Sequence, residues 1–328
     1  MHCGFLLAFK WLRAWLTETP ARMSSASPFT TKDYLAALGV IAIWGTNFVA
    51  MKFGLEDFTP LQLGAGRYMA AALTLLLLIR PPAIPWQWVV LYGLCQGLGQ
   101  FGFLFLALKV GMTASLASVL MQTQVFFTAL FGLVLLQEKL ARHQRYSLGL
   151  GGLALTCFGL GILAGSSVGV TWAGLGLNLA AAAMWAASNI VARQAQQACR
   201  PGQSLDPVAF VVWSSVLPIL PFMLLSWQLD PALSWAHLAQ VSWLSWASVL
   251  YLGWFATVIA YALWTGLLKR HPANQVAPLS LGVPVLGLAA GALALQEVIT
   301  AWQWAGILLT LLALMVNFRP SLLPKAAP

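Results

Sequence analysis

The chain has 328 residues, 60% of them hydrophobic and 8% charged, with a formal net charge of +9 and a mean hydropathy of +0.81. Soluble domains carry roughly 25% charged residues, so the composition excludes a water-facing globule and predicts an all-α polytopic membrane protein. The basic balance reads as loops that orient helices in a lipid bilayer, with no nucleic-acid partner expected.

Residues 1–33 form an extension ahead of the first long apolar run. In "MHCGFLLAFKWLRAWLTETPARM" the apolar stretch is too short for a span and lacks the order of a signal peptide. Two readings stand: an interfacial amphipathic helix carrying Phe5, Phe9, Leu12 and Leu16, or a true start at Met23. Beyond it, charges, prolines and polar clusters delimit ten apolar segments, at 34–53, 61–79, 86–108, 113–136, 147–163, 172–192, 207–227, 241–268, 274–295 and 302–318. A helix needs about 20 residues to cross a bilayer. With both termini cytoplasmic, inner segments hold fourteen of the seventeen Lys and Arg, outer segments hold Lys52 and Lys109, and Arg67 lies within a span. That asymmetry follows the positive-inside rule.

The first segment carries "IWGTNFVAMKFG", with Trp44 and Asn47 three residues apart and so on one helical face. Lys52, at its outer end, either guides substrate as a gate or anchors the helix by snorkelling. The second holds Arg67 in "GAGRYMAAALTLLLL", six residues past Leu61 and hence about 9 Å deep. Either Arg67 snorkels outward, or its guanidinium fork meets a substrate carboxylate. The third and fourth add Gln96 and Gln100, then Gln122 and Gln124. Two residues apart, Gln122 and Gln124 face different sides of a regular helix, so one is expected only to bond a neighbour.

The sixth segment repeats the opening pattern as "MWAASNIVARQA", again placing Trp185 and Asn189 on one face. The two Trp–Asn pairs either wall a central cavity or serve as interfacial anchors and interhelical bonds. In the eighth, Tyr261 and Trp264 share a face as candidate aromatic wall. In the ninth, Pro284 breaks the hydrogen-bond ladder and frees a carbonyl, either as a hinge beside the cavity or as a passive kink. Gly93 and Gly97, and Gly287 and Gly291, have the spacing of close helix packing.

"FGLVLLQEKL" ending the fourth segment matches "AGALALQEVI" ending the ninth, aligning Glu138 with Glu297. Five helices is an odd number, so the second half enters the membrane inverted. The expected units are a five-helix repeat at 34–164, its inverted partner at 172–318, and a cytoplasmic tail at 319–328. Inverted repeats belong to alternating-access transporters. Glu138 and Glu297 are expected to cap the following helix or complement its dipole, with gating as the other reading. No Asp, Glu or His falls deep in a span, and no hydrolase or metal motif is present; Cys3, Cys95, Cys157 and Cys199 are scattered. Transport is the expected class, with an intramembrane enzyme or a duplicated structural scaffold as the remote alternatives, and no cofactor or metal is expected.

Together "WGTNFVAMKFGL", "GRYMAAALTL", "GQFGFLFLAL", "ASLASVLMQTQVFFTALFG", "VVWSSVLPILPF" and "VAPLSLGVPVLGL" resemble the EamA family of the drug/metabolite transporter superfamily. The resemblance covers about 34–318. It implies ten helices in two inverted halves and, being strongest to exporters of O-acetylserine and cysteine, an inner-membrane exporter of small amino-acid metabolites. The expected partners are a small-molecule substrate and the bilayer, for a monomer or homodimer. Members also handle purines, sugars and aromatic compounds, so a broad drug or aromatic-metabolite exporter remains the alternative, favoured by the 16 tryptophans. The chain departs from the family pattern in its N-terminal extension and in a longer stretch after Glu138.

Overall fold

The computed structural model describes residues 29–76, 78–135, 142–165, 169–199, 205–231, 235–271 and 276–322. Most of the N-terminal extension, with Met23, lies outside them, as do Glu138 and residues 323–328 of the tail. The described residues are helical, without a strand. In chain order the helices are α1 (Thr31–Asp57), α2 (Pro60–Leu73) and α3 (Trp86–Gly111), the last with a π-helical stretch at Gly93–Phe101. Next come α4 (Ala114–Leu120, a 3-10 turn at Met121–Thr123, then Gln124–Leu135), α5 (Arg142–Leu163) and α6 (Trp172–Gln197). Then follow α7 (Pro207–Leu229), α8 (Trp243–Leu250, a π-helical stretch at Tyr251–Ile259, then Ala260–Arg270), α9 (a 3-10 turn at Ala277–Leu281, then Gly282–Ala294) and α10 (Ala301–Leu322). A short helix, Trp235–Gln240, separates α7 from α8.

The helix starts are written in polar caps that hydropathy passes over. Thr30 and Asp33 form a capping box at α1, and Thr59 and Gln62 another at α2, where Pro60 takes the first helical position. Thr113, Thr171, Asp206 and Ser242 cap α4, α6, α7 and α8. Each satisfies backbone N–H groups that a bilayer would leave without water.

Seven described helices are long and apolar enough to cross a membrane: α1, α3, α4, α5, α6, α7 and α8. The ninth and tenth segments form shorter apolar helices, and α2 has 14 residues. The tenth segment runs past its expected end at 318, to Leu322. Large apolar side chains face outward along the helices, among them Leu220, Met223, Trp227, Trp243, Leu308 and Met315. On a water-soluble protein such a surface would drive association; on a multi-pass membrane protein it meets lipid.

The packing partners are α1 with α9 and α8, α6 with α4 and α3, α5 with α10, α2 with α7 and with the π stretch of α8, and α3 with α7. Glycines permit the close approaches. A Cβ at Gly97 would meet Pro218 Cγ at 2.6 Å, and one at Gly287 would meet Ser118 Cβ at 2.5 Å. Where α1 meets α8, Asp33 is buried and bonds Arg270 at 2.9 Å and His271 at 3.1 Å.

Candidate functional site

A cavity of about 490 Å³ lies at the centre of the bundle, inside the range of small-molecule sites, roughly 300–1,000 Å³. Its lining includes Trp44, Asn47, Arg67, Gln100, Gln122, Trp185, Asn189, Tyr261 and Trp264. These nine candidates from the apolar segments therefore meet on one surface, contributed by α1, α2, α3, α4, α6 and α8. The cavity runs from Arg67, Leu104 and Ser118 to Gln144, Arg193 and Asn317. Gln144 is the third residue of α5, and Arg193 lies four residues before the end of α6. The cavity thus reaches the end of the bundle where α1 begins.

Arg67 does not snorkel: it is 1% exposed. Its Nε donates to Thr257 Oγ1 at 3.1 Å, and its guanidinium carbon sits 3.6 Å from the centroid of Phe101, a cation–π contact. Both partners belong to π-helical stretches, Phe101 to that of α3 and Thr257 to that of α8. Thr257 in turn donates to Leu252 O at 2.8 Å. No carboxylate pairs with Arg67 among the described residues, and its Nη1 bonds no protein group. A buried unpaired charge is costly, so the site spends stability to hold a cation on the wall. Thr257→Val removes the oxygen that fixes Nε; thermal unfolding in detergent should fall by an amount equivalent to about 2 kcal/mol.

Asn47 and Gln100 line the same cavity as Arg67, and their Oδ1 and Oε1 are buried without partners, an unusual state for interior amides. Trp44 donates to Ala256 O at 3.1 Å and packs against Tyr261 and Trp264, with ring centroids 5.2 and 5.7 Å away. Asn189 is engaged differently from Asn47: its Nδ2 donates to Gln124 Oε1 at 2.8 Å. The expected exclusion between Gln122 and Gln124 is corrected, since both line the cavity. The 3-10 turn at Met121–Thr123 rotates the helix between them.

Three candidates lie off the wall: Gln96, whose Nε2 donates to the Tyr261 hydroxyl, Lys52 and Pro284. Lys52 does not line the cavity; its Nζ donates to Leu108 O at 2.8 Å, while Lys109 Nζ donates to Leu55 O at 3.1 Å. The two lysines pin α1 and α3 at each other's C-terminal carbonyls, where a cation complements the helix dipole. Pro284 is buried in the first turn of the α-helical part of α9, which spares the ladder most of its cost. The carbonyl four residues before it, Ser280 O, accepts a long bond from Gln122 Nε2 at 3.4 Å. The expected capping role of Glu297 is also corrected: it holds the start of α4, not that of the following helix.

Thr257, Phe101 and Ser280 belong to the site and are not marked by spacing. Each sits in or beside a π or 3-10 irregularity, where a regular helical wheel points the wrong way. Doublets of small residues and glutamines in apolar runs were the available signal.

The EamA-like transporter family model matches residues 31–160 and again 171–319. Among curated proteins, one of Salmonella typhimurium and one of Escherichia coli, each named "Probable amino-acid metabolite efflux pump", are 39% and 38% identical over 87% of this chain and 94% of their own length. An uncharacterized transporter of Synechocystis is 26% identical over 92% of this chain and 94% of its own length. A solved structure described as "Crystal structure of protein" shares the fold, with a TM-score of 0.58 at 18% identity, covering 90% of this chain and 99% of the other.

Proposed function

The chain belongs to the EamA-like transporter family, and from that membership we propose that its central cavity is the substrate site of an alternating-access exporter of small amino-acid metabolites. It is a multi-pass membrane transporter, not an enzyme. The proposal places it in a bacterial inner membrane with ten crossing helices in two inverted repeats, near 34–164 and 172–318. The double match of the family model supports two repeats. So does the packing: exchanging α1–α5 for α6–α10 turns the α1–α9 contact into α6–α4, α1–α8 into α6–α3, and α2–α8 into α7–α3. The π stretches also correspond, starting seven residues into α3 (86 to 93) and eight into α8 (243 to 251).

With both termini cytoplasmic, the cavity is open inward, the state in which an exporter loads. The observation that carries the reading is that Arg67, with an unpaired Nη1, lines the same cavity as Asn47 and Gln100, whose amide oxygens are also unpaired. A carboxylate suits the guanidinium, and an ammonium group suits amide oxygens. Cysteine and O-acetylserine present both. A second reading, export of aromatic metabolites or dyes, draws on the Trp44–Tyr261–Trp264 cluster, whose faces would stack on a flat ring.

Cells overexpressing the chain and challenged with cysteine, O-acetylserine, purine analogues or dyes distinguish them. Tolerance should rise for the first two. A rise for dyes or purine analogues alone would overturn the amino-acid reading.

A further inference from the structure

At the end of the bundle opposite the cavity's opening, one carboxylate bridges α9 and α4. Glu297 follows α9 and accepts from the backbone of the other half: Ala114 N donates to Oε1 at 2.7 Å and Ser115 N to Oε2 at 2.8 Å. Both N–H groups belong to the first turn of α4, whose dipole favours a negative charge there. Gln296, just before it, is the sole non-glycine residue with positive φ among the described residues, at 53°. That left-handed turn, uncommon for glutamine, brings the chain back from α9 toward α4. Around the carboxylate the helices nearly touch. Ser115 Oγ donates to Leu288 O at 3.2 Å, and a Cβ at Gly291 would collide with Ser115 Oγ and stand 2.6 Å from Glu297 Oε2. Lys52 of α1 lies within electrostatic reach of Glu297.

We propose that Glu297 is the latch of the outer gate: its carboxylate, bonded across the two halves to the start of α4, holds the cavity closed to the outside, and outward opening requires those two bonds to break. This rests on the alternating-access reading above. Charge-assisted bonds to backbone N–H groups are roughly twice as strong as neutral ones, so losing both moves the balance between inward-open and outward-open states. The latch acts through the helices it joins and is a positioning residue, touching no substrate.

The test uses the full chain with its four cysteines replaced and a single reporter, Val125→Cys, on the cavity wall midway along α4. A membrane-impermeant methanethiosulfonate is applied from each side of oriented vesicles. The parent should be labelled from the inner side alone; equal labelling from both sides, or none, would sink the alternating-access reading itself. Given the expected parent pattern, Glu297→Ala should raise outer-side labelling about tenfold or more and slow inner-side labelling. Glu297→Gln, which keeps one acceptor oxygen, should fall between. Gly291→Ala, which wedges the same contact and leaves the acid in place, should shift labelling the same way. Reduced thermal stability with unchanged sidedness would make Glu297 a structural cap and overturn the proposal. Failure of all three variants to fold would do the same.

Discussion

Arg67→Gln is expected to lower transport of carboxylate-bearing metabolites by about 30-fold or more, while leaving the fold as stable as before or more so. The two halves of that expectation have one cause. Arg67 is 1% exposed, bonded through Nε to Thr257 and stacked on Phe101, with Nη1 unpartnered. In the empty protein this cation is a liability, and replacing a poorly compensated buried charge by a neutral group is often neutral or stabilising. With cargo bound, the guanidinium would supply a hydrogen bond to a charged group, worth about 1.5–3 kcal/mol each, with two available in bidentate geometry. Initial rates in vesicles and thermal unfolding of the same preparation check both halves. A variant that loses stability and transport together would mark Arg67 as a structural residue.

The second large effect is expected at Gly253. A Cβ there would stand 2.6 Å from Ala70 Cβ, 2.8 Å from Arg67 O and 3.1 Å from Ala71 N. Two of these are backbone atoms of the helix that carries Arg67, so the clash cannot be relieved by a rotamer change. Gly253→Ala must separate α2 from the π stretch of α8 and strain the Arg67–Thr257 bond. Overpacking of this kind costs about 1–3 kcal/mol, and transport should fall with it. Gly149, within α5, has nothing within 4 Å of the corresponding position; Gly149→Ala should change stability by less than about 0.5 kcal/mol. Thermal melts of the two variants side by side provide the measurement.

Much of this site was legible in the sequence because lipid penalises idle polarity. Trp44 with Asn47, Trp185 with Asn189, Arg67, Tyr261 and Trp264 stand out against hydrocarbon, and the structure gathers them around one cavity. What stayed hidden depends on helix irregularity or distant partners. Gln122 and Gln124 share the cavity where a 3-10 turn interrupts α4, and Phe101 and Thr257 reach Arg67 from π stretches that no spacing rule announces. The role of Glu297 was half visible. Its repeat with Glu138 marked it as meaningful, but its partners at Ala114 and Ser115 lie over 180 positions away in sequence. Lys52 read equally as a gate or an anchor, and the choice turns on a carbonyl in another helix, Leu108 O, to which its Nζ donates.

Counterflow tests the central claim most directly. Purified protein in liposomes preloaded with unlabelled O-acetylserine should accumulate labelled O-acetylserine from outside, with saturation, competition by cysteine, and no accumulation by Arg67→Gln. Folded wild-type protein that accumulates no more label than empty liposomes, or the same amount as Arg67→Gln, would contradict a cavity built around a carboxylate-binding arginine.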